Sequence, residues 1–355
     1  MKDDIMLYIN IMLSDCSFIG VKMKPIHIFN FMIYFLILCY HDVFCTNTLL
    51  RYTYCRVAEC CNDDWIPGNI NALKHKLHEK LYGQHLAEQV VVNALSAHFT
   101  EKNPQKALTL SFHGWPGSGK NYVTKFIKEA MFFKGSQSKF IQHYTARIHF
   151  PRVQKVEEYK SNLQQWIRGN VSQCGRALIV FDEVNEMPAD VLNAIKPMID
   201  YNDQVDQVDY RRAVFIFLSN TGGSVIKDHL LALWEKGMKR SEIELSDFER
   251  IIRMGAFNEK GGFHQSDTIK SNLIDHYIPF LPMEKEHVEL CITDQFHERG
   301  IHNIQQEHID NVLRSVEWGP QPINLFSTTG CKRLSQKVPL VVAKFGLRPQ
   351  TKEEL

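Results

Sequence analysis

The segment Gly114-Trp115-Pro116-Gly117-Ser118-Gly119-Lys120 fits the phosphate-binding pattern G-x-x-x-x-G-K, and it constrains the fold because such a loop works only between a strand and a helix. Both are predicted in place. Leu108 to His113 reads as a short buried strand, and Tyr122 to Ala130 carries apolar residues at helical spacing. The glycines let successive backbone N–H groups turn inward around a phosphate, and the helix N-terminus adds a favourable dipole. Lys120 then reaches the β and γ phosphates as a point charge, whereas a glycine-rich turn that binds nothing leaves that lysine without a reason. The candidate nucleotide-binding set is Gly114, Trp115, Pro116, Gly117, Ser118, Gly119, Lys120, Asn121 and Tyr122. Asn121 stands where most such loops carry Ser or Thr, whose hydroxyl ligates magnesium; its amide oxygen suits the same hard ion, so Asn121 is also a candidate metal ligand.

A second apolar run, Ala177 to Phe181, ends in Asp182-Glu183. A strand buried on both faces delivers its two carboxylates to the edge where ligands bind in open parallel sheets. Asp182 is the candidate to hold Mg2+, directly or through water, and Glu183 the candidate to polarise an attacking water. Taken alone, the pair reads equally well as the start of a polar loop or a helix cap; the phosphate loop tips the balance. A third run, Ala213 to Leu218, ends in Ser219-Asn220 and places Asn220 to orient water beside the γ phosphate, although a strand-terminal Asn in isolation is more often a turn former. Strands alternate with helical segments through residues 105 to 230, which predicts a parallel α/β sheet flanked by helices. From about Asp267 the chain reads as mainly helical, as a small C-terminal lid would.

These motifs together resemble the torsins, AAA+ ATPases of the endoplasmic reticulum and nuclear-envelope lumen. The resemblance rests on Gly114 to Asn121 with Asn after the lysine, Leu163-Gln164-Gln165-Trp166-Ile167-Arg168-Gly169-Asn170-Val171-Ser172, Phe181-Asp182-Glu183, Phe217-Leu218-Ser219-Asn220, Phe280-Leu281-Pro282 and Gly330-Cys331-Lys332, and spans roughly Tyr54 to Lys337. It implies a P-loop AAA+ fold with ATP and Mg2+ as cofactors, Asn220 as sensor 1, and Lys332 as the sensor 2 lysine reaching the γ phosphate from the lid. Without the family, a lysine in a Gly-Cys-Lys turn reads as a solvated surface charge. The segment Leu81 to Ala87 looks like the family's entry helix near the adenine pocket.

The ends of the chain bear on compartment. Ile26 to Tyr40 is an apolar stretch preceded by Lys22 and Lys24, which fits a secretory signal peptide better than a transmembrane span. A membrane anchor or interfacial hairpin is the rival reading, and Met1 and Met23 are both candidate starts. Lys352-Glu353-Glu354-Leu355 resembles the Lys-Asp-Glu-Leu retrieval signal, a tail that familiar torsins do not generally need. The expected organisation is a signal region over 1–46, a large domain over 47–266, a helical lid over 267–345 and a tail over 346–355. Of nine cysteines, Cys55, Cys60, Cys61, Cys174, Cys291 and Cys331 remain in the mature chain, an even number without zinc spacing, which favours disulfides. The resemblance implies that Cys174 pairs with the N-terminal cluster, Cys55 first among its members, and Cys291 with Cys331. Asn170-Val171-Ser172 makes Asn170 a candidate glycan acceptor.

A 355-residue chain that is 44% hydrophobic and 23% charged can bury a large core, and a formal charge of +1 gives no electrostatic case for nucleic acid. Two functions stay in view: an ATPase that remodels lumenal protein or membrane complexes as a chaperone, and a nucleotide-gated binding module with little turnover. A P-loop kinase or DNA-directed ATPase is disfavoured by the two end signals and the neutral charge. Torsins lack the arginine finger of AAA+ rings, and transmembrane partners with lumenal AAA-like domains supply it. Arg211, Arg212, Arg240, Arg250 and Arg253 show no finger-like setting in the sequence, and Glu157-Glu158-Tyr159 lacks the aromatic-hydrophobic character of a threading pore loop. The resemblance thus implies a regulatory transmembrane partner, a homo- or hetero-oligomer and peripheral membrane association.

Overall fold

Short apolar runs rich in Phe, Ile, Leu and Val become strands covered on both faces, and this is how the sheet is built. The computed structural model describes residues 54–350. Five parallel strands, β1 (Leu108–Gly114), β2 (Ile141–Thr145), β3 (Leu178–Asp182), β4 (Val214–Ser219) and β5 (His276–Phe280), lie in the order β2-β3-β4-β1-β5. Alternate side chains serve two separate cores. Leu110 and Phe112 of β1, Val180 of β3 and Ile216 of β4 point to one; Phe181 and Phe217, paired in register and stacked with centroids 5.2 Å apart, point to the other. Every residue of β1 and β4 is buried, the pattern of central parallel strands.

Helices α1 (Ile70–Lys80), α2 (His85–Thr100) and α3 (Lys120–Met131) pack on the first face, and α4 (Val156–Val171), α5 (Gly223–Glu235) and α6 (Ser246–Asn258) on the second. A third core, centred on Val288, Ile292, Phe296, Val312 and Val338, belongs to α7 (Lys285–His297), α8 (Gln306–Leu313) and α9 (Leu334–Phe345), which form the lid with a two-stranded ribbon, Trp318–Gly319 against Phe326–Ser327.

The lid therefore begins later than the expected residue 267. Residues 276–280 form β5, which pairs with β1 from Leu110↔His276 to Gly114↔Phe280 and completes the large-domain sheet. The strand holds only five residues and includes Pro279, so its signal is weak in isolation; its place on the sheet edge comes from pairing with β1. The described chain also divides at Cys60/Cys61, and the short unit before that division contains a Cys55–Cys60 disulfide. The signal region and the tail signal at Lys352 to Leu355 lie outside the described residues. Among the described residues, no helix is long and apolar enough to cross a membrane.

The expected Cys55–Cys174 pairing is corrected. Cys61, not Cys55, bonds to Cys174 with the two Cα atoms 5.4 Å apart, and Cys291 bonds to Cys331 as expected. The segment after Cys61 is held beside Cys174 by Arg176, whose Nη1 donates to Asp63 Oδ1 at 2.6 Å. Three cysteines crowded into seven residues offer partners that a resemblance does not separate. Non-reducing peptide mapping should recover Cys61 linked to Cys174 and Cys55 linked to Cys60; a Cys55–Cys174 peptide would overturn the assignment. Cys61→Ser opens a loop spanning a sequence separation of 113 and is expected to lower stability by about 2–5 kcal/mol in denaturant unfolding, with a smaller loss for Cys55→Ser, which opens a separation of 5.

Candidate functional site

The parallel sheet gathers three separate segments at one edge. β1 ends at Gly114, the loop follows, and α3 begins at Lys120. The Lys120 side chain folds back under the loop, its Nζ donating to Gly114 O at 2.6 Å, Trp115 O at 3.0 Å and Asn220 Oδ1 at 3.0 Å. All three of these acceptors are uncharged oxygens. Burial pushes the Lys120 ammonium down to about 7, opposed by Asp182 and reinforced by Lys332. A cation held this way at a helix N-terminus is arranged to meet an anion.

Because β4 lies between β1 and β3, Asn220 stands between the phosphate loop and Asp182-Glu183. Burial works to raise the Asp182 pKa, yet His143 at 3.8 Å, the Glu183 N–H at 2.8 Å and Asn121 Nδ2 at 3.2 Å outweigh it and hold the carboxyl below its usual range. Asn121 turns its amide nitrogen to Asp182, so Asp182 offers a magnesium ion its carboxylate oxygens and Asn121 would add its own oxygen on turning its amide over. Glu183 adopts a left-handed backbone, φ 57°, and its carboxylate lies 3.7 Å from Arg147, which also reaches Glu186 at 3.3 Å. Arg147 is well exposed, so this pair is weak. The Asn220 backbone N–H donates to Asn185 Oδ1 at 3.1 Å, tying the two strand ends together.

The lid closes the other side. Gly330 and Gly117 meet backbone to backbone: both have positive φ, and a Cβ on Gly330 would stand 2.3 Å from Gly117 O, while one on Gly117 would stand 1.9 Å from Thr329 O. The Cys331 N–H donates to Gly117 O at 3.3 Å, so the Gly-Cys-Lys turn docks directly on the phosphate loop. Lys332 is exposed at the rim of a cavity of about 430 Å³ that is lined by the loop, Asp182, Glu183, Asn220, Cys291 and Cys331. That volume is in the range of small-ligand pockets, about 300–1,000 Å³.

At the far end of the cavity the segment from Leu81, expected near the adenine pocket, meets a lid residue that nothing in the sequence singles out, Asp294. Tyr82 Oη donates to Asp294 Oδ2 at 2.8 Å and Lys80 Nζ to Asp294 Oδ1 at 2.9 Å, joining the entry segment to lid helix α7. Buried Gln84 donates from Nε2 to Ser118 O at 3.0 Å and Leu281 O at 2.7 Å, and its Oε1 accepts from Leu281 N at 2.8 Å. One side chain therefore fixes the phosphate loop against the start of the lid. Asp294 lies 212 residues from Tyr82, and no spacing rule connects them. Tyr122 is part of the cavity wall as expected.

Other expected residues behave differently. Asn170 is 8% exposed and its Nδ2, the atom a glycan would occupy, donates to Lys139 O at 2.9 Å. The N-x-S pattern falls at the inward end of α4, and the Asn170 Oδ1 has no hydrogen-bond partner among the described residues. Tyr159 is buried, its hydroxyl accepting from Arg152 N, and so presents no aromatic to a pore. Arg240 donates to Gly83 O, Pro282 O and Glu284 and is half-buried, while Arg211 is engaged by Asp203 and Asp209.

With the geometry in place, known proteins give the context. A family model described as Torsin matches residues 55–181. A torsin-like protein of Caenorhabditis elegans is 40% identical over 299 residues, covering 83% of this chain and 83% of that protein, and a torsin-like protein of Drosophila melanogaster is 40% identical over 298 residues, covering 82% and 87%. Among solved structures, the Hsp104-ADP complex of S. cerevisiae superposes with a TM-score of 0.54 at 18% identity over 80% of this chain, and the Hsp104:casein complex in its extended conformation with 0.54 at 18% over 85%. This chain spans about half the length of those Hsp104 chains, 50% and 52%, and the likeness establishes a P-loop AAA+ fold. With 40% identity across most of two relatives, and with its phosphate loop, acidic strand end and lid turn gathered around one cavity, the chain belongs to the torsin family.

Proposed function

We propose that this protein binds and hydrolyses ATP and uses the cycle to remodel protein or membrane complexes in the lumen of the endoplasmic reticulum and nuclear envelope. The observation that carries the reading is the convergence of Lys120, Asp182, Glu183 and Asn220 on one cavity with Lys332 at its rim. Lys120 binds the β and γ phosphates, and Lys332 reaches the γ phosphate from the lid. Asn121 and Asp182 would hold Mg2+, which when bound neutralises phosphate charge. Glu183 polarises the attacking water and Asn220 orients it. Asp294 and Tyr82 line the end left for the base.

The arginine that completes phosphoryl transfer is proposed to come from a transmembrane partner with a lumenal AAA-like domain, since Arg211 and Arg240 are already engaged within the chain. That same observation favours the second reading, a nucleotide-gated binding module, whenever the partner is absent. ATP hydrolysis by the purified domain with and without the lumenal domain of its host's partner separates them: stimulation of about 10³-fold or more supports the ATPase, and none supports the module.

Glu183→Gln should retain ATP binding and lose roughly 10²-fold or more in stimulated turnover, because general-base catalysis contributes on that scale. Turnover at the wild-type rate would remove Glu183 from the role. Localisation is tested by secretory-pathway expression, in which a product trimmed near residues 45 to 48 is retained and deletion of Lys352 to Leu355 increases its escape to the medium. A cytosolic product that still carries Met1 would sink the lumenal reading.

Redox state should act through the lid. The Cys291–Cys331 bridge ties α7 to the turn that carries Lys332, and both cysteines line the cavity. Reduction, or Cys291→Ser, loosens that turn and should weaken ATP binding about ten-fold, the scale of one charge-assisted contact. Lys332→Ala should abolish the response. Equal affinities for all three proteins under oxidising and reducing buffers would make the bridge a structural staple.

A further inference from the structure

The second face of β1 is unlike the rest of the sheet. Where β3 and β4 present Ile179, Phe181, Phe215 and Phe217 to that core, β1 presents Thr109, Ser111 and His113, all fully buried. A histidine at the last position before the phosphate loop glycine serves no packing need that a Phe or Leu would not meet, and burying its polar atoms is costly unless each is paired. Each is paired. Nδ1 lies 3.1 Å from the Thr221 carbonyl and Nε2 lies 2.7 Å from Ser111 Oγ. A carbonyl only accepts, so Nδ1 carries the proton and Nε2 accepts from the Ser111 hydroxyl; the tautomer follows from the partners. Burial pushes the His113 pKa down to about 4, so the ring is neutral at physiological pH.

Thr221 follows Asn220. Its hydroxyl pairs with Ser219 Oγ at 2.7 Å, and its N–H donates to the same Ser219 oxygen at 3.1 Å. Ser219 is the register partner of His113 on β4. Asn220 is therefore clasped on its N-terminal side by Asn185 and on its C-terminal side by a chain running from Ser111 through His113 to Thr221. With its backbone fixed, its side chain reaches Lys120 at 3.0 Å.

We propose that His113 is a positioning residue for Asn220: its Nδ1–H grips the Thr221 carbonyl and so couples the strand that carries the phosphate loop to the amide that reads the γ phosphate. The coupling rests on the ATPase reading above. Freed of His113, the Thr221–Gly222 peptide turns, the Asn220 side-chain amide drifts from the γ phosphate, and discrimination of ATP from ADP falls while the loop still holds the β phosphate. His113 touches neither substrate nor water.

His113→Phe keeps the size and apolar contacts and removes the donor. Stimulated kcat should fall about ten-fold and the KM for ATP should rise while ADP inhibition is unchanged, the scale expected when a buried acceptor loses its hydrogen bond. His113→Asn, which places an amide N–H near the Nδ1 position, should recover much of the loss. In an Asn220→Ala background His113→Phe should cost nothing further, whereas an independent packing role predicts the same loss again. Melting temperature is read alongside, and if His113→Phe does not fold, Ser111→Ala, which releases Nε2 and the tautomer, should shift kcat in the same direction by a smaller factor. The ratio of ATP to ADP affinity, measured in the Glu183→Gln background, needs no turnover. A lower ratio with His113→Phe upholds the positioning role even if the wild type never hydrolyses ATP; an unchanged ratio, or equal losses for both nucleotides, overturns it.

Discussion

The parallel pairing of β1 with β4 and of β4 with β3 is the constraint on which the site depends. Parallel strands all end at the same edge, so the loop after β1, Asn220 after β4 and Asp182-Glu183 after β3 emerge side by side, although Asn220 lies 100 residues beyond Lys120 and Asp182 lies 61 beyond Asn121. Shifting β4 by one residue would exchange its faces, sending Phe215 and Phe217 out of the core they share with Phe181. Core packing and site geometry are one requirement on one strand.

Electrostatics then explains why this edge suits a phosphate ligand. Lys120 is bonded to neutral oxygens under strong desolvation, and Asp182 is kept ionised by donors from three elements. Each charge is held in a place where leaving it alone is costly, and a bound triphosphate with its cation offsets both at once. The Gly117–Gly330 contact brings the lid to van der Waals distance of the same loop, which side chains at those positions would prevent. Loop, lid and disulfide are consequently in direct contact, and a buried polar thread through His113 runs from the sheet to Thr221.

Local chemistry was legible in the chain because it is written in short, periodic patterns. A phosphate loop is a contiguous backbone device, and apolar runs ending in Asp182-Glu183 and Ser219-Asn220 announce both the strand and its functional end. From these the parallel α/β sheet and the loop-to-helix junction followed, whereas Lys332 was singled out only by the family resemblance, and the structure places loop, strand ends and Lys332 around one cavity.

Tertiary structure decided what depends on partners far apart in sequence. β5 is a strand because β1 offers it backbone hydrogen bonds; Cys61 rather than Cys55 takes Cys174 because the turn after it is anchored by Arg176; and Asn170 is occupied because its helix face turns inward onto Lys139. Gln84, Asp294 and His113 are ordinary letters in the sequence, and their work appears only when Leu281, Tyr82 and Thr221 arrive beside them. Spacing along a chain encodes which face a residue takes within its own element. It does not encode which atoms of another element will be waiting there, and a buried polar group has its meaning fixed by that partner.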